Sequence, residues 1–234
     1  MSEQETPVPN PVPTCVGVIM DGNRRWARTH GLPALEGHRK GYAKLTEMMR
    51  WCEEAGVTHL VVYALSTENW NRSPEEVSYL MDLFRVMLDD LEKERDQKKI
   101  AIHFAGDLSR FPHDIASRME EVHATNPKDA EHHLWVAASY GGKAEVLAGI
   151  NTLLARGVTK VDERTFCDAL WTAGMPDPDI ILRTGGEKRL SNFLMWHSGY
   201  SELFFLDTKW PDLSKVEFDE VLKQFVNRKR NYGV

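Results

Sequence analysis

The sequence predicts an α/β fold, a mainly parallel central sheet of about six strands covered by helices, within a single domain that carries a hydrophobic tunnel or packed stripe. Short apolar runs rich in β-branched residues alternate with longer amphipathic ones along the 234 residues. No linker-like stretch or internal repeat interrupts that alternation beyond Thr14. With 42% hydrophobic and 27% charged residues the composition is globular, and a chain of this length buries roughly 70–75% of its unfolded surface without staples.

Residues 1–13, MSEQETPVPNPVP, are polar and hold Pro7, Pro9, Pro11 and Pro13, which predicts an extended, disordered tail before a domain over 14–234. Strands are expected at Cys15–Met20, Leu60–Leu65, Ile100–Ala105, Leu134–Ala138 and Ile180–Arg183, with Glu202–Leu206 as a sixth. Helices are expected near Gly41–Glu54, Pro74–Gln97, Ile115–Thr125, Lys143–Ala155, Thr165–Trp171 and Lys215–Arg230. Ser73, Pro74 and Glu76 read as N-cap, N1 and N3 of a capping box. Val77, Leu80, Met81, Phe84, Met87, Leu88 and Leu91 form an apolar stripe at helical spacing, and Leu83 and Val86 widen it. Such a face packs into a core or lines a tunnel; periodicity leaves both open.

The formal charge of −6 argues against general nucleic-acid binding. Cys15, Cys52 and Cys167 are odd in number and far apart, which indicates neither a disulfide framework nor a zinc knuckle and makes a reduced, cytoplasmic setting the expectation. No apolar run approaches the ~18–20 residues of a membrane span.

The unusual residues follow the strands, where parallel sheets place their ligands. After the first strand comes Asp21-Gly22-Asn23-Arg24-Arg25-Trp26, and Asp21–Lys40 holds five basic residues against two acidic ones. This inversion inside an acidic chain fits either an anionic ligand or an ordinary charged turn. The second strand runs into Ser66-Thr67-Glu68-Asn69-Trp70-Asn71-Arg72, which has more polar groups than a turn requires. After the fifth, Arg183-Thr184-Gly185-Gly186-Glu187-Lys188-Arg189-Leu190-Ser191-Asn192 offers a glycine nest with Arg183, Arg189 and Ser191 as diphosphate grips. It is neither a Walker loop nor a dinucleotide fingerprint. Glu202 is a second strand-borne carboxylate that could join Asp21 around one Mg2+, or simply a surface acid.

MDGNRRWA at Met20–Ala27, GHRKG at Gly37–Gly41, STENWNR at Ser66–Arg72, RTGGEKRLSNF at Arg183–Phe193 and YSELFF…WPD at Tyr200–Asp212 together resemble the cis-prenyltransferase family, the enzymes of the undecaprenyl diphosphate synthase type. The motifs run in order from about Val16 to Gly233. The resemblance implies a homodimer that joins isopentenyl diphosphate to an allylic diphosphate such as farnesyl or geranyl diphosphate. The product would be a Z-configured polyprenyl diphosphate, such as the undecaprenyl precursor of a cell-wall lipid carrier. It implies Mg2+ held by Asp21 and Glu202, and an allylic diphosphate ringed by Gly22, Asn23, Arg24, Arg25, Trp26 and His38. By the same resemblance Asn69, beside Ser66, Thr67, Glu68, Trp70 and Arg72, serves proton removal. Arg183, Arg189 and Ser191, with Leu190 between them, would hold isopentenyl diphosphate, and the helix from Pro74 would wall the tunnel. The implied location is cytoplasmic with peripheral membrane contact for product release, and the implied partners include no nucleic acid. A short-chain Z-prenyl synthase, an irregular-coupling enzyme and a non-catalytic accessory subunit are the competing classes. Ala34, Ser139 and Asn231 depart from residues usual in the family, and a Trp135 pointing into the tunnel would shorten the product.

Overall fold

The computed structural model describes residues 12–98 and 100–228, so most of the proline-rich tail and the Asn231 departure lie outside the described residues. Six strands form one sheet, β1 (Cys15–Ile19), β2 (His59–Ser66), β3 (Ile100–Ala105), β4 (His132–Tyr140), β5 (Ile180–Arg183) and β6 (Glu202–Phe205). Their order is β3-β4-β2-β1-β5-β6 and every pair is parallel. The strands read as unbroken apolar runs because both faces of the sheet are covered; all five residues of β1 are buried.

On one face Val16, Val18, Leu60, Val62, Leu134 and Val136 pack against α2 (Ala34–Ala55), α3 (Pro74–Lys98), α4 (His113–Ala124) and α7 (Lys215–Asn227). The stripe expected on α3 supplies Leu80, Met81, Phe84, Met87, Leu88 and Leu91 to this core. On the other face Cys15, Ile19, Val61, Trp135, Ala137 and Ile181 pack with Phe193 and Leu194. A small third cluster joins α5 (Gly142–Ala155) to α6 (Glu163–Cys167) through Leu153 and Phe166.

Two helix expectations need correction. A seven-residue helix, α1 (Asn23–Thr29), occupies what reads as a charged loop, and α2 begins at Ala34 rather than Gly41. Glycine weakens a helix prediction, yet Gly37 is there for close approach. A Cβ at Gly37 would lie 2.1 Å from the Asn23 carbonyl oxygen, so only glycine lets α1 lie across the start of α2. The Ser73 box is also half formed: Ser73 Oγ accepts from the Glu76 N–H at 3.3 Å, but the Glu76 carboxylate turns to other partners.

Trp135 points away from the α2–α3 side. Its ring stacks on His103 at 4.0 Å and its indole N–H donates to His59 Nδ1 at 3.4 Å. His103 and His133 stack in the same ladder, with His103 Nε2 3.2 Å from His133 Nδ1. Burial, reinforced by neighbouring imidazoles, pushes His59 down to about 4 and His103 down to about 3 from the ordinary 6.5. These rings stay neutral in the fold, whereas in the unfolded chain they take up protons near pH 6.5. Stability present above that pH is therefore lost as pH falls toward the folded values. Urea unfolding at pH 7.0, 6.0 and 5.0 is expected to show falling stability, and His103→Phe, which keeps the stacking, is expected to flatten that fall.

Candidate active site

Asp21 follows the carboxyl end of β1, and Arg183 is the last residue of its neighbour β5, in register with Ile19. The strand order reverses between these two strands, the place where open parallel sheets leave a crevice. Arg183 is only 4% exposed, so its guanidinium depends on internal partners. It donates to Asp21 Oδ2 at 2.9 Å, to Ser191 Oγ at 2.7 Å and to the Arg189 carbonyl at 2.5 Å. Arg25 closes the other side, 3.1 Å from Asp21 Oδ1. Burial alone would raise the Asp21 pKa; the bonds from Arg183 and Arg25 outweigh it and hold the carboxyl below its ordinary range.

The loops are shaped for this meeting. Gly22 caps α1 at φ +106, and a Cβ there would lie 2.9 Å from Lys209 Cβ, so position 22 requires glycine. No side chain caps α1. β2 slips register against β4 between Tyr63 and Ser66, which swings the following turn toward the crevice. There Ser66 N–H donates to Asn69 Oδ1 at 3.1 Å and fixes the amide plane. After β5 the chain passes through Ser191, Asn192 and Leu194, all at positive φ, a strained turn that returns Ser191 to Arg183.

Three hollows converge here. A first bay of about 680 Å3 is lined by Asp21, Gly22, Asn23, Arg24, Arg25, His38, Arg72, Glu187 and Arg189. A second, of about 1050 Å3, is lined by Tyr63, Ser66, Glu68, Asn69, Arg183, Ser191 and Asn192. Met20, Asp21 and Arg72 form the wall common to both. The third is an apolar cleft of about 520 Å3 between α2 and α3, and Met20, Asn23 and His38 belong to it as well as to the first bay. Asn23 Oδ1 and Arg183 Nε are buried with no partner, unmade bonds at a mouth built to receive one.

Most of the residues singled out in the sequence meet here, but not all. Trp26 packs inward, donating to Asp212 at 2.6 Å and stacking on His30 at 4.3 Å. Trp70 donates to Ser139 Oγ at 3.0 Å and packs edge-on against Phe111. Thr67 lies beside Gly141, and Leu190 packs against the core behind β5. The Arg189 side chain faces the first bay and Glu187, and its carbonyl alone reaches Arg183. Ala34 is exposed at the start of α2 and lines neither bay.

Glu202 requires a correction. It opens β6 in register with Ile180, three pairs, or about 10 Å, below the level of Arg183. Its carboxylate binds Arg228. Within one chain Glu202 and Asp21 therefore cannot share an ion, because Glu202 begins its strand whereas the other site residues follow theirs.

Sequence reasoning missed two organisers. Glu76 sits 2.9 Å from Arg72, 3.2 Å from His38 and 3.7 Å from Arg24, gathering two guanidinium groups and an imidazole at the head of the cleft. Its place in an apparent capping box concealed this. Asn192 donates to Glu68 at 3.3 Å and accepts from the Lys143 N–H at 2.9 Å, and its carbonyl accepts from the Gly142 N–H at 2.7 Å. Its position beside Ser191 in the glycine-rich motif was the available signal.

A cationic crevice opening onto an apolar cleft defines an enzyme class that grips a diphosphate and sheathes its hydrocarbon tail. Comparison with known proteins agrees. Residues 19–233 match the prenyltransferase family model described as "Putative undecaprenyl diphosphate synthase". The isoprenyl transferase of Neisseria gonorrhoeae is 39% identical over 222 residues, covering 95% of this chain and 90% of that one. The tritrans,polycis-undecaprenyl-diphosphate synthase (geranylgeranyl-diphosphate specific) of Picrophilus torridus is 40% identical, covering 96% and 91%. The crystal structure of lavandulyl diphosphate synthase from Lavandula x intermedia, in complex with dimethylallyl diphosphate, superposes with a TM-score of 0.89 at 29% identity, covering 95% and 99%. The chain belongs to the undecaprenyl diphosphate synthase family and is a cis-prenyltransferase.

Burial lowers the His38 pKa, the Glu76 carboxylate partly offsets this, and Arg72 and Arg24 add to the lowering. Glu76→Gln removes the offsetting charge, so the NMR titration midpoint of His38 is expected to fall further; an unmoved midpoint would show that the pair does not form.

Proposed function

We propose that the chain condenses isopentenyl diphosphate with an allylic diphosphate, farnesyl or geranyl, to give a Z-polyprenyl diphosphate. The observation that carries this is the pair of polar bays sharing one wall at Met20, Asp21 and Arg72, of which the first shares Met20, Asn23 and His38 with the apolar cleft and the second shares Met20 alone. The substrate with the longer tail takes the first bay, with its diphosphate against Arg24, Arg25 and His38 and its tail between α2 and α3. Isopentenyl diphosphate takes the second bay, against Arg183 and Ser191, with its alkene beside Asn69.

The allylic C–O bond breaks, its electrons leave with the diphosphate, and the arginines stabilise that developing charge. The isopentenyl alkene then forms the new C–C bond, and the resulting cation loses a proton. Asn69 does not titrate; its amide, fixed by Ser66, positions that proton for a diphosphate oxygen. The apolar cleft keeps water from the electron-deficient carbon.

The residues present fit Mg2+. Asp21 stays ionised where the two diphosphates meet, and Mg2+ commonly takes one carboxylate plus phosphate oxygens and water. When bound, the ion would neutralise charge on the departing diphosphate. Among the described residues no group of three potential ligands forms a protein cage.

Leu147, Ile150 and Leu154 form an exposed stripe on α5, accompanied by the exposed Trp196, Tyr200 and Leu203, and this face supports a homodimer. Among the described residues no helix is long and apolar enough to cross a membrane. Cytoplasmic synthesis with release of product to a membrane surface is part of the same reading.

The test is incubation of the purified chain with Mg2+, radiolabelled isopentenyl diphosphate and, separately, geranyl, farnesyl or geranylgeranyl diphosphate. Chain length is read by reversed-phase chromatography and the new double bond by NMR. Incorporation with a new Z bond supports the reading. No turnover would favour an accessory subunit, and a product without that bond an irregular coupling. Asp21→Ala is expected to cut kcat by ~10²–10³-fold with a smaller effect on substrate affinity. Ser191→Ala is expected to raise KM for isopentenyl diphosphate and leave that for the primer unchanged. Leu147→Asp with Leu154→Asp is expected to convert a dimer to a monomer in sedimentation velocity.

A further inference from the structure

The apolar cleft has a far end. Below the rung where His38 meets Glu76, α2 contributes Tyr42 and Leu45, and α3 contributes Leu80, Phe84 and Met87. Beyond them, between the same two helices, lies a groove open to solvent, lined by Thr46, Met49, Asp90, Leu91 and Lys93, in which the Asp90 side chain is half-exposed and that of Lys93 more so. Tyr42 and Leu45 line both spaces and so belong to the partition. The Tyr42 hydroxyl spans the gap and donates to Asp90 Oδ2 on α3 at 3.0 Å. The other Asp90 oxygen is 3.7 Å from Lys93 Nζ. A tail descending the cleft therefore meets an aromatic ring with a carboxylate and an ammonium behind it. To pass, it would have to break that hydrogen bond and strip water from the carboxylate.

Resting on the prenyltransferase reading, we propose that the Tyr42–Asp90 bridge is the floor of the growth cleft and fixes how many isopentenyl units a chain accepts. Opening it joins the cleft to the groove beyond. Trp135, the other large residue that could shorten the product, lies on the opposite face of the sheet and plays no part.

The test compares product lengths made by the unmodified chain and by Tyr42→Ala, Tyr42→Phe and Asp90→Ala, with the fold of each checked by thermal melting. Tyr42→Ala is expected to lengthen the main product by at least one isoprene unit. Tyr42→Phe and Asp90→Ala, which keep the ring but break the bridge, are expected to give a mixture extending past the wild-type length. Tyr42→Ala product of unchanged or shorter length overturns the floor. Lengthening by Tyr42→Ala alone overturns the bridge and leaves the ring as a simple obstruction. If Tyr42→Ala does not fold, the two conservative variants decide, and wild-type lengths from both overturn the proposal. Absence of incorporation by the unmodified chain overturns the transferase reading and the floor with it, whereas incorporation with unshifted lengths overturns the floor alone.

Discussion

The ion pair between Asp21 and Arg183 constrains everything around it. A guanidinium buried at the end of a central strand needs its charge and its donors answered, and here a carboxylate, a hydroxyl and a carbonyl answer its two terminal nitrogens while Nε is left without a partner. Reaching Ser191 and the Arg189 carbonyl forces the chain after β5 to double back through left-handed residues. That return delivers Asn192 to the start of α5 and to Glu68 after β2. One salt bridge thus fixes the relative positions of three strand-end loops, the preorganisation that the proposed binding of two diphosphates side by side would require. Removing the carboxylate would leave the guanidinium unpaired at a cost on the order of 3–5 kcal/mol, so the aspartate proposed for the chemistry also serves the fold.

The two faces of the sheet carry different duties. The face toward α2 and α3 holds the cleft; the reverse face holds the histidine ladder, Trp135 and the buried chain in which His197, between Asp177 and Thr172, leads to Glu145 and Tyr140. Tyr63 joins the two halves, since it lines the second bay while its hydroxyl donates to the Tyr140 carbonyl at 3.1 Å. The chain from His197 to Tyr140 is satisfied internally and, lining neither bay, supports the mouth from behind. Ser139 shows the strain this packing tolerates. It is fully buried at φ +53, a region where asparagine is more at ease than serine, and its hydroxyl is committed to the Trp70 indole.

Strands were legible because burial on both faces leaves unbroken apolar runs, but that same burial hides which way each side chain points. Trp135 illustrates this: it sits in LWVAA, where every neighbour is apolar, so alternation gives no hint of its face. The site was legible wherever a motif follows a strand, and misleading at Glu202, whose motif begins one. A linear sequence gives the order of residues but not the level at which an edge strand pairs. Glu76 escaped notice for a different reason: its local signal, a cap, was a sufficient explanation for a glutamate three residues after a serine. The start of α2 was lost because Gly37 and Gly41 lower helix propensity and their role is tertiary, and α1 was lost because Asn23–Thr29 reads as a charged loop.

Those glycines also explain why a cleft exists at all. At Gly41 the Trp210 indole donates to the backbone carbonyl at 2.7 Å, and Asn23 lies so close that a Cβ would be 2.5 Å from its Oδ1. α2 is thus anchored on the side of α1 and Trp210. α3 is anchored separately, through Phe84 against Phe111 and through Arg118 of α4, which bonds to both Asp89 and Glu92. Two helices held by different neighbours need not close on each other, and Leu83 is left only half-buried where a tight helix pair would bury it. The apolar walls between them forgo contacts that close packing would supply. On the proposed reading a prenyl tail would restore those contacts, so the substrate would fill a gap in the core and its binding energy would add to the stability of the folded chain.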